Sequence, residues 1–211
     1  MAYDASPHLA AHASAVIVFE CQDAIIGPGT PLAGLRQDVL ARRMIENLRE
    51  VLAAARESGV FIVYCNMAFR PDHLGAPNTP RYDQLPKGPP GPGSASPVVA
   101  ELAPAPEDFI IERLHGMSSF YGTPLEPVLR ERGVTTVVPT GVSLNIGIIS
   151  TTVEALNRGY RVVVARDCVA GDPSSYADAV LRNTLNNLAY LSNSEEICAL
   201  WRSATGSRTG S

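Results

Sequence analysis

The sequence predicts an α/β fold, a Rossmann-like three-layer sandwich with a central parallel sheet flanked by helices. Three observations carry that expectation. The all-apolar run Ala15 to Phe19 reads as a strand buried on both faces, Val60 to Cys65 as a second strand, and the apolar run Thr135 to Pro139 as a buried parallel strand. Segments of helical periodicity separate them, so strands and helices alternate as in a doubly wound sheet, and no internal repeat points to a solenoid. At 211 residues and 45% hydrophobic content, the chain suits one domain with a sizeable core.

Taken in order, Met1 to Ser14 is small and polar and is expected to be a loosely held arm ahead of a domain spanning residues 15–202. Glu20 follows the first strand directly. Pro28, Gly29 and Pro31 mark a loop, and Arg36 to Glu57 then shows helical spacing through Leu40, Ile45, Leu48 and Leu52, with Gly59 ending the helix. The strand at Val60 to Cys65 completes a strand-helix-strand unit whose crossover should be right-handed. Residues 68–106 hold ten of the 17 prolines, centred on Lys87-Gly88-Pro89-Pro90-Gly91-Pro92-Gly93, and are expected to stay outside the core as a lid or binding loop.

Phe109 to Glu112 reads as a third short strand and Glu126 to Gly133 as a short helix. The strand from Thr135 then enters a tight turn at Gly141, with Ser143 or Asn145 placed to cap a helix running to Gly159. Arg161 to Arg166 is a further strand, Tyr176 to Ala189 a helix, and Ala189 to Ser192 a last short strand. Ser194 is expected to cap Glu195 to Trp201, and residues 203–211 to form a flexible tail.

Composition narrows the function. A net charge of -4 gives no electrostatic footprint for nucleic acid or an anionic membrane. No apolar run approaches the roughly 20 residues of a membrane span, and no basic-then-apolar leader opens the chain, so a cytoplasmic protein is expected. Cys21, Cys65, Cys168 and Cys198 lack the paired spacing of metal sites, and no metal or cofactor is expected. Each reads as a small buried hydrophobe, although Cys21 and Cys65 lie where strands end and leave a reactive thiol open.

Two features point to chemistry. Glu20 stands at the carboxyl end of a central strand, where burying a carboxylate costs free energy, so a site there would raise its pKa or pair it with a cation. The turn after Pro139 aims backbone N–H groups into the crevice outside the strand ends, where open α/β sheets bind ligands.

The run Thr-Gly-Val-x-x-Asn-x-Gly-x-x-x-Thr-x-x-x-Ala-x-x-x-Gly-Tyr from Thr140 to Tyr160 resembles the isochorismatase-like hydrolases, or cysteine hydrolase superfamily. Most of that family carries a nucleophilic cysteine where this chain has Gly147, whereas isochorismatases proper have glycine. The family's Val-x-Asp-x-Gln corresponds to Val18-Phe19-Glu20-Cys21-Gln22, which makes Glu20 the counterpart of a catalytic aspartate and Gln22 a candidate substrate contact. The ending Ser-x-Phe-x-Gly-Thr recurs with Ser118 and Phe120. The lysine that should precede Phe120 falls at Leu114, and the only lysine of the chain is Lys87, so Arg113 or His115 is left to supply the cation.

The resemblance also implies a small-molecule substrate, a homo-oligomer (dimer or tetramer), substrate contacts from Arg70, Phe120, Ser143 and Asn145, and a cis peptide at Val142–Ser143. The nicotinamidase branch uses Asp-x-His for a metal, but Asp72 and His73 are adjacent here.

Glycine at 147 removes the thioester route by which most relatives cleave amides. Two reactions need no nucleophilic side chain. Glu20 as an acid could protonate a vinyl ether, or Glu20 as a base could direct water at an amide or ester, with N–H groups near Ser143 and Gly147 holding the oxyanion. A catalytically inactive small-molecule-binding or oligomerisation protein on the same fold is the alternative from another class.

Overall fold

The computed structural model describes residues 3–206. In chain order the elements are β1 (Ser14–Phe19), α1 (Asp23–Ile26), α2 (Ala33–Ala41), α3 (Met44–Ser58), β2 (Phe61–Phe69), α4 (Pro80–Asp83), β3 (Ser94–Ala95) and β4 (Phe109–Arg113). They continue with α5 (Leu125–Glu131), β5 (Thr136–Val142), α6 (Ile149–Asn157), β6 (Arg161–Ala165), β7 (Val169–Ala170), α7 (Ser174–Val180), α8 (Asn186–Leu188), β8 (Tyr190–Ser192) and α9 (Ser194–Gly206). The eight strands form one sheet in the order β3-β2-β1-β5-β6-β8, with β4 added on β2 and β7 on β5. Every pairing is parallel except that of β2 with the two-residue β3, so the expected parallel α/β sandwich is what the chain forms.

Alternation along β1 makes the two helical layers. Val16 and Val18 face α2, α3 and α9 through Val39, Leu48, Leu52, Ile197 and Trp201. Ala15, Ile17 and Phe19 face α5, α6 and α7 through Leu125, Leu129, Ala155 and Ala177. With both faces covered, the strand has no room for a polar residue until it ends, which is why Glu20 comes where it does.

Several expectations are corrected. The helix expected over 36–57 is two helices, because Arg43 adopts a left-handed conformation (φ 53°). The break is held by Arg42, whose guanidinium bonds Asp38 at 2.7 Å and Asp178 at 2.6 Å, and by Asn47, whose amide bonds the Arg42 carbonyl at 3.1 Å. Gly59 does end α3, at φ 74°.

The N-terminal arm is not loose over its described residues: Ala5, Leu9 and Ala11 are buried, and the Trp201 indole N–H donates to the Leu9 carbonyl at 3.0 Å. Apolar anchors dispersed among small and polar residues hid this. Residues 68–106 likewise reach the core at their end, where Val99 and Leu102 are buried and Tyr64 donates to the Leu102 carbonyl at 2.8 Å. Helix α9 continues to Gly206, past the expected start of a tail, and residues 207–211 lie outside the described residues. Asn193, not Ser194, takes its first-turn N–H, from Glu196 at 2.9 Å, while Ser194 donates to Asp167 at 2.5 Å. Among the described residues no helix is long and apolar enough to cross a membrane.

Candidate active site

At the carboxyl ends of β1, β2, β4 and β5 the chain brings together residues far apart in sequence. Phe19 pairs in register with Cys65 on one side and Gly141 on the other, and the Glu20 N–H donates to the Cys65 carbonyl at 3.1 Å. Glu20 then leaves the sheet in a left-handed conformation (φ 54°), a state that costs a non-glycine residue about 1 kcal/mol or more and that directs its side chain toward β4.

There Glu20 meets Arg113, the last residue of β4, whose Nη2 donates to Glu20 Oε1. The arginine side chain is 3% exposed and the glutamate 20%. Arg113 Nη1 donates to the Gly116 carbonyl at 2.6 Å and contacts the Met67 sulfur at 3.2 Å, and the guanidinium lies 4.6 Å from the centroid of the Phe19 ring. Its Nε has no hydrogen-bond partner among the described residues. Burial pushes the Glu20 carboxyl above the ordinary carboxylate range, against the pull of Arg113, which favours the charged form. The Cys65 thiol borders Arg113 and Ser119 beneath this pair, and its burial outweighs both in raising its pKa. Ser119 in turn is fixed by Thr151 at 3.1 Å.

The turn after β5 closes the other side. Gly141 has φ 94°, and a Cβ there would stand 2.3 Å from the Phe19 carbonyl oxygen, so only glycine fits. The Val142–Ser143 peptide is cis, as the motif implied. A π-helical turn, Leu144–Ile148, leads into α6. Neither expected cap forms: Ser143 Oγ donates to Asn145 Oδ1, and Asn145 Nδ2 donates to the Asp172 carbonyl at 3.1 Å, so both side chains brace the turn. A Cβ on Gly147 would lie 2.2 Å from Cε1 of Phe19, so the aromatic ring fills the space a side chain there would enter.

Among the described residues the other candidates make no hydrogen bond to Glu20 or Arg113. Gln22 is buried and clamps β2, donating to the Met67 and Ser96 carbonyls at 3.0 Å each and accepting from the Met67 N–H at 2.7 Å. Phe120 is buried against Tyr160, under the guanidinium of Arg158. Arg70 is engaged by Asp72 through two bonds of 2.9 and 2.8 Å, which hold the Asp72 carboxyl down at about 2. His115 is exposed, stacks on Tyr121 and bonds the Gly75 carbonyl at 2.9 Å. Of the two cations left open by the sequence, Arg113 is therefore the one that reaches Glu20.

Phe19 and Met67 were missed because apolar strand residues carry no chemical signal. The bulk of Phe19 opposite a glycine becomes visible only once the two are superposed in space. Elsewhere, a cleft of about 580 Å³ between the arm and β8 is lined by Tyr3, Asp4, Arg166, Ser192 and Glu196, but it gathers no buried ionisable pair.

A sequence model of the isochorismatase domain matches residues 14–196. The chain belongs to the isochorismatase family. It is similar to the ureidoacrylate amidohydrolase RutB of Cronobacter turicensis, at 30% identity over 208 residues covering 88% of this chain and 87% of that one. It is also similar to the maleamate amidohydrolase of Pseudomonas putida, at 28% identity with 80% and 83% covered. A solved N-carbamoylsarcosine amidase from Thermoplasma acidophilum superposes with a TM-score of 0.67 at 27% identity, covering 86% of this chain and 96% of that one.

As an isochorismatase-family hydrolase, the protein holds a carboxylate against a cation, and Phe19 lies between that cation and Gly147 in the turn that leads into α6. Among its described residues no three His, Cys, Asp or Glu side chains gather to hold a metal. The arrangement can hold or release a proton at Glu20 beside the Arg113 guanidinium, a fork of donors suited to a carboxylate.

Proposed function

We propose that the protein hydrolyses a small molecule without a covalent enzyme intermediate, with Glu20 moving the proton and Arg113 steadying the charge. The observation that carries this reading is the part-buried Glu20–Arg113 contact near a turn, at Gly147, whose side-chain space is filled by Phe19. A carboxyl raised by desolvation sits closer to working pH and so exchanges its proton more readily.

Protonated, Glu20 suits donation to the terminal carbon of a vinyl ether, after which water captures the cation formed. Ionised, it suits removal of a proton from water attacking an amide or ester, with N–H groups near Ser143 and Gly147 receiving the oxyanion. The amidohydrolase names of the similar proteins favour amides of small unsaturated acids as the first compounds to try. Incubation with such amides, esters and vinyl ethers, read by mass spectrometry with Glu20→Gln as control, tests the reading. Product from the parent chain alone supports it. Turnover that survives Glu20→Gln, or an acylated protein in the quenched reaction, opposes it.

The filled nucleophile space also favours a second reading, a binding protein that has lost turnover on the same fold. Saturable binding of these compounds with no product by either chain would establish that reading instead.

A further inference from the structure

Phe19 meets both halves of the site, the cation on β4 and the glycine at the helix start. We infer that Phe19 sets the type of reaction: its ring takes the volume a side chain at position 147 needs and holds the Arg113 guanidinium against its face, so Phe19 and Gly147 are a matched pair. This rests on the Glu20–Arg113 pair being the reactive site. It goes further in naming the residue that keeps a nucleophile out.

A glycine alone would leave a hole beside the buried Arg113 and the half-buried Glu20, and water would enter it. The ring fills that hole, with Cε1, Cδ1 and Cζ at 2.2, 2.8 and 3.1 Å from where a Cβ on residue 147 would stand. It cannot swing away, since Phe19 is 1% exposed and lies between Cys65 of β2 and Gly141 of β5. Its other face of contact is the guanidinium, 4.6 Å from the ring centroid, which suits the attraction of a cation to an aromatic face. Phe19 is thus a positioning residue for Arg113 as well as a stopper.

Gly147→Cys alone forces a Cβ into the ring. Combined with Phe19→Val, it places a thiol in the vacated space, beside Arg113 and at the start of a helix, where a thiolate is favoured.

The test compares the parent chain, Gly147→Cys, Phe19→Val and the double variant. Melting temperature is recorded, and iodoacetamide alkylation, in which the thiolate sulfur displaces iodide, is followed against pH by mass spectrometry of the peptide containing residue 147. Gly147→Cys alone is expected to lower Tm by roughly 5 °C or more, as overpacking does, or to prevent folding. The double variant should fold with much less than the sum of the single losses. Its introduced thiol should titrate below the ordinary value of about 8.5 and react at pH 7 at least ~10-fold faster than any native cysteine. Additive losses, a double variant that does not fold, or a thiol titrating at or above the ordinary value would each overturn the inference. None of these measurements needs a substrate, so a failure of the hydrolase reading shows separately, in the turnover assays.

Discussion

The Glu20 carboxylate accepts a hydrogen bond from Arg113, 93 positions further along the chain, and the two form an ion pair at the carboxyl ends of β1 and β4. Glu20→Gln keeps the shape and removes the titrating proton. It is expected to lower kcat by at least ~10²-fold, as lost acid-base catalysis does, with the fold intact by circular dichroism.

Arg113→Met should cost about 3 kcal/mol of stability near pH 7, because it leaves a largely buried carboxylate without its cation. Urea denaturation measures this. The loss should shrink at low pH, where Glu20 is neutral. A loss independent of pH would mean that packing on Phe19, not charge, is what Arg113 provides.

Stability should also carry the signature of Glu20 itself. Its folded pKa is raised, so the folded state holds this proton more tightly than the unfolded chain does. The resulting stabilisation is fully present below the unfolded value of about 4.3 and is lost as pH rises through the folded value. The difference in Tm between the parent and Glu20→Gln should move in the parent's disfavour across that window and then level. A difference that is flat, or that moves the other way, would contradict the raised pKa.

The sheet and the position of Glu20 were legible because buried parallel strands announce themselves as apolar runs, and the first polar residue after β1 must lie at its end. The turn was legible through Gly141, whose conformation admits no other residue. What could not be read was which side chains meet. The choice between Arg113 and His115 depends on where β4 ends, and the strand includes Arg113 while His115 falls on an exposed turn. The role of Gln22 was hidden for the same reason, since its partners on β2 are backbone groups 45 residues away.

Gln22→Leu should accordingly cost about 2 kcal/mol by stranding the Met67 N–H and carbonyl, with KM little changed. A raised KM at unchanged stability would make Gln22 a substrate contact instead.

All four cysteines are buried, and burial raises the thiols of Cys21, just past the end of β1, and of Cys65, in the middle of β2. Iodoacetamide should label the native protein slowly, and substrate should not slow it further. Rapid labelling of Cys65 would show that its contact with Arg113 outweighs its burial.

The proposed function assigns the reaction to a carboxyl group and to no thiol. Its most direct test is turnover by Cys65→Ala set against turnover by Glu20→Gln, under saturating substrate and with folding verified for both. Cys65→Ala is expected to retain kcat within about threefold while Glu20→Gln loses at least ~10²-fold. Loss of turnover in Cys65→Ala together with its survival in Glu20→Gln would contradict that assignment and make Cys65 the nucleophile.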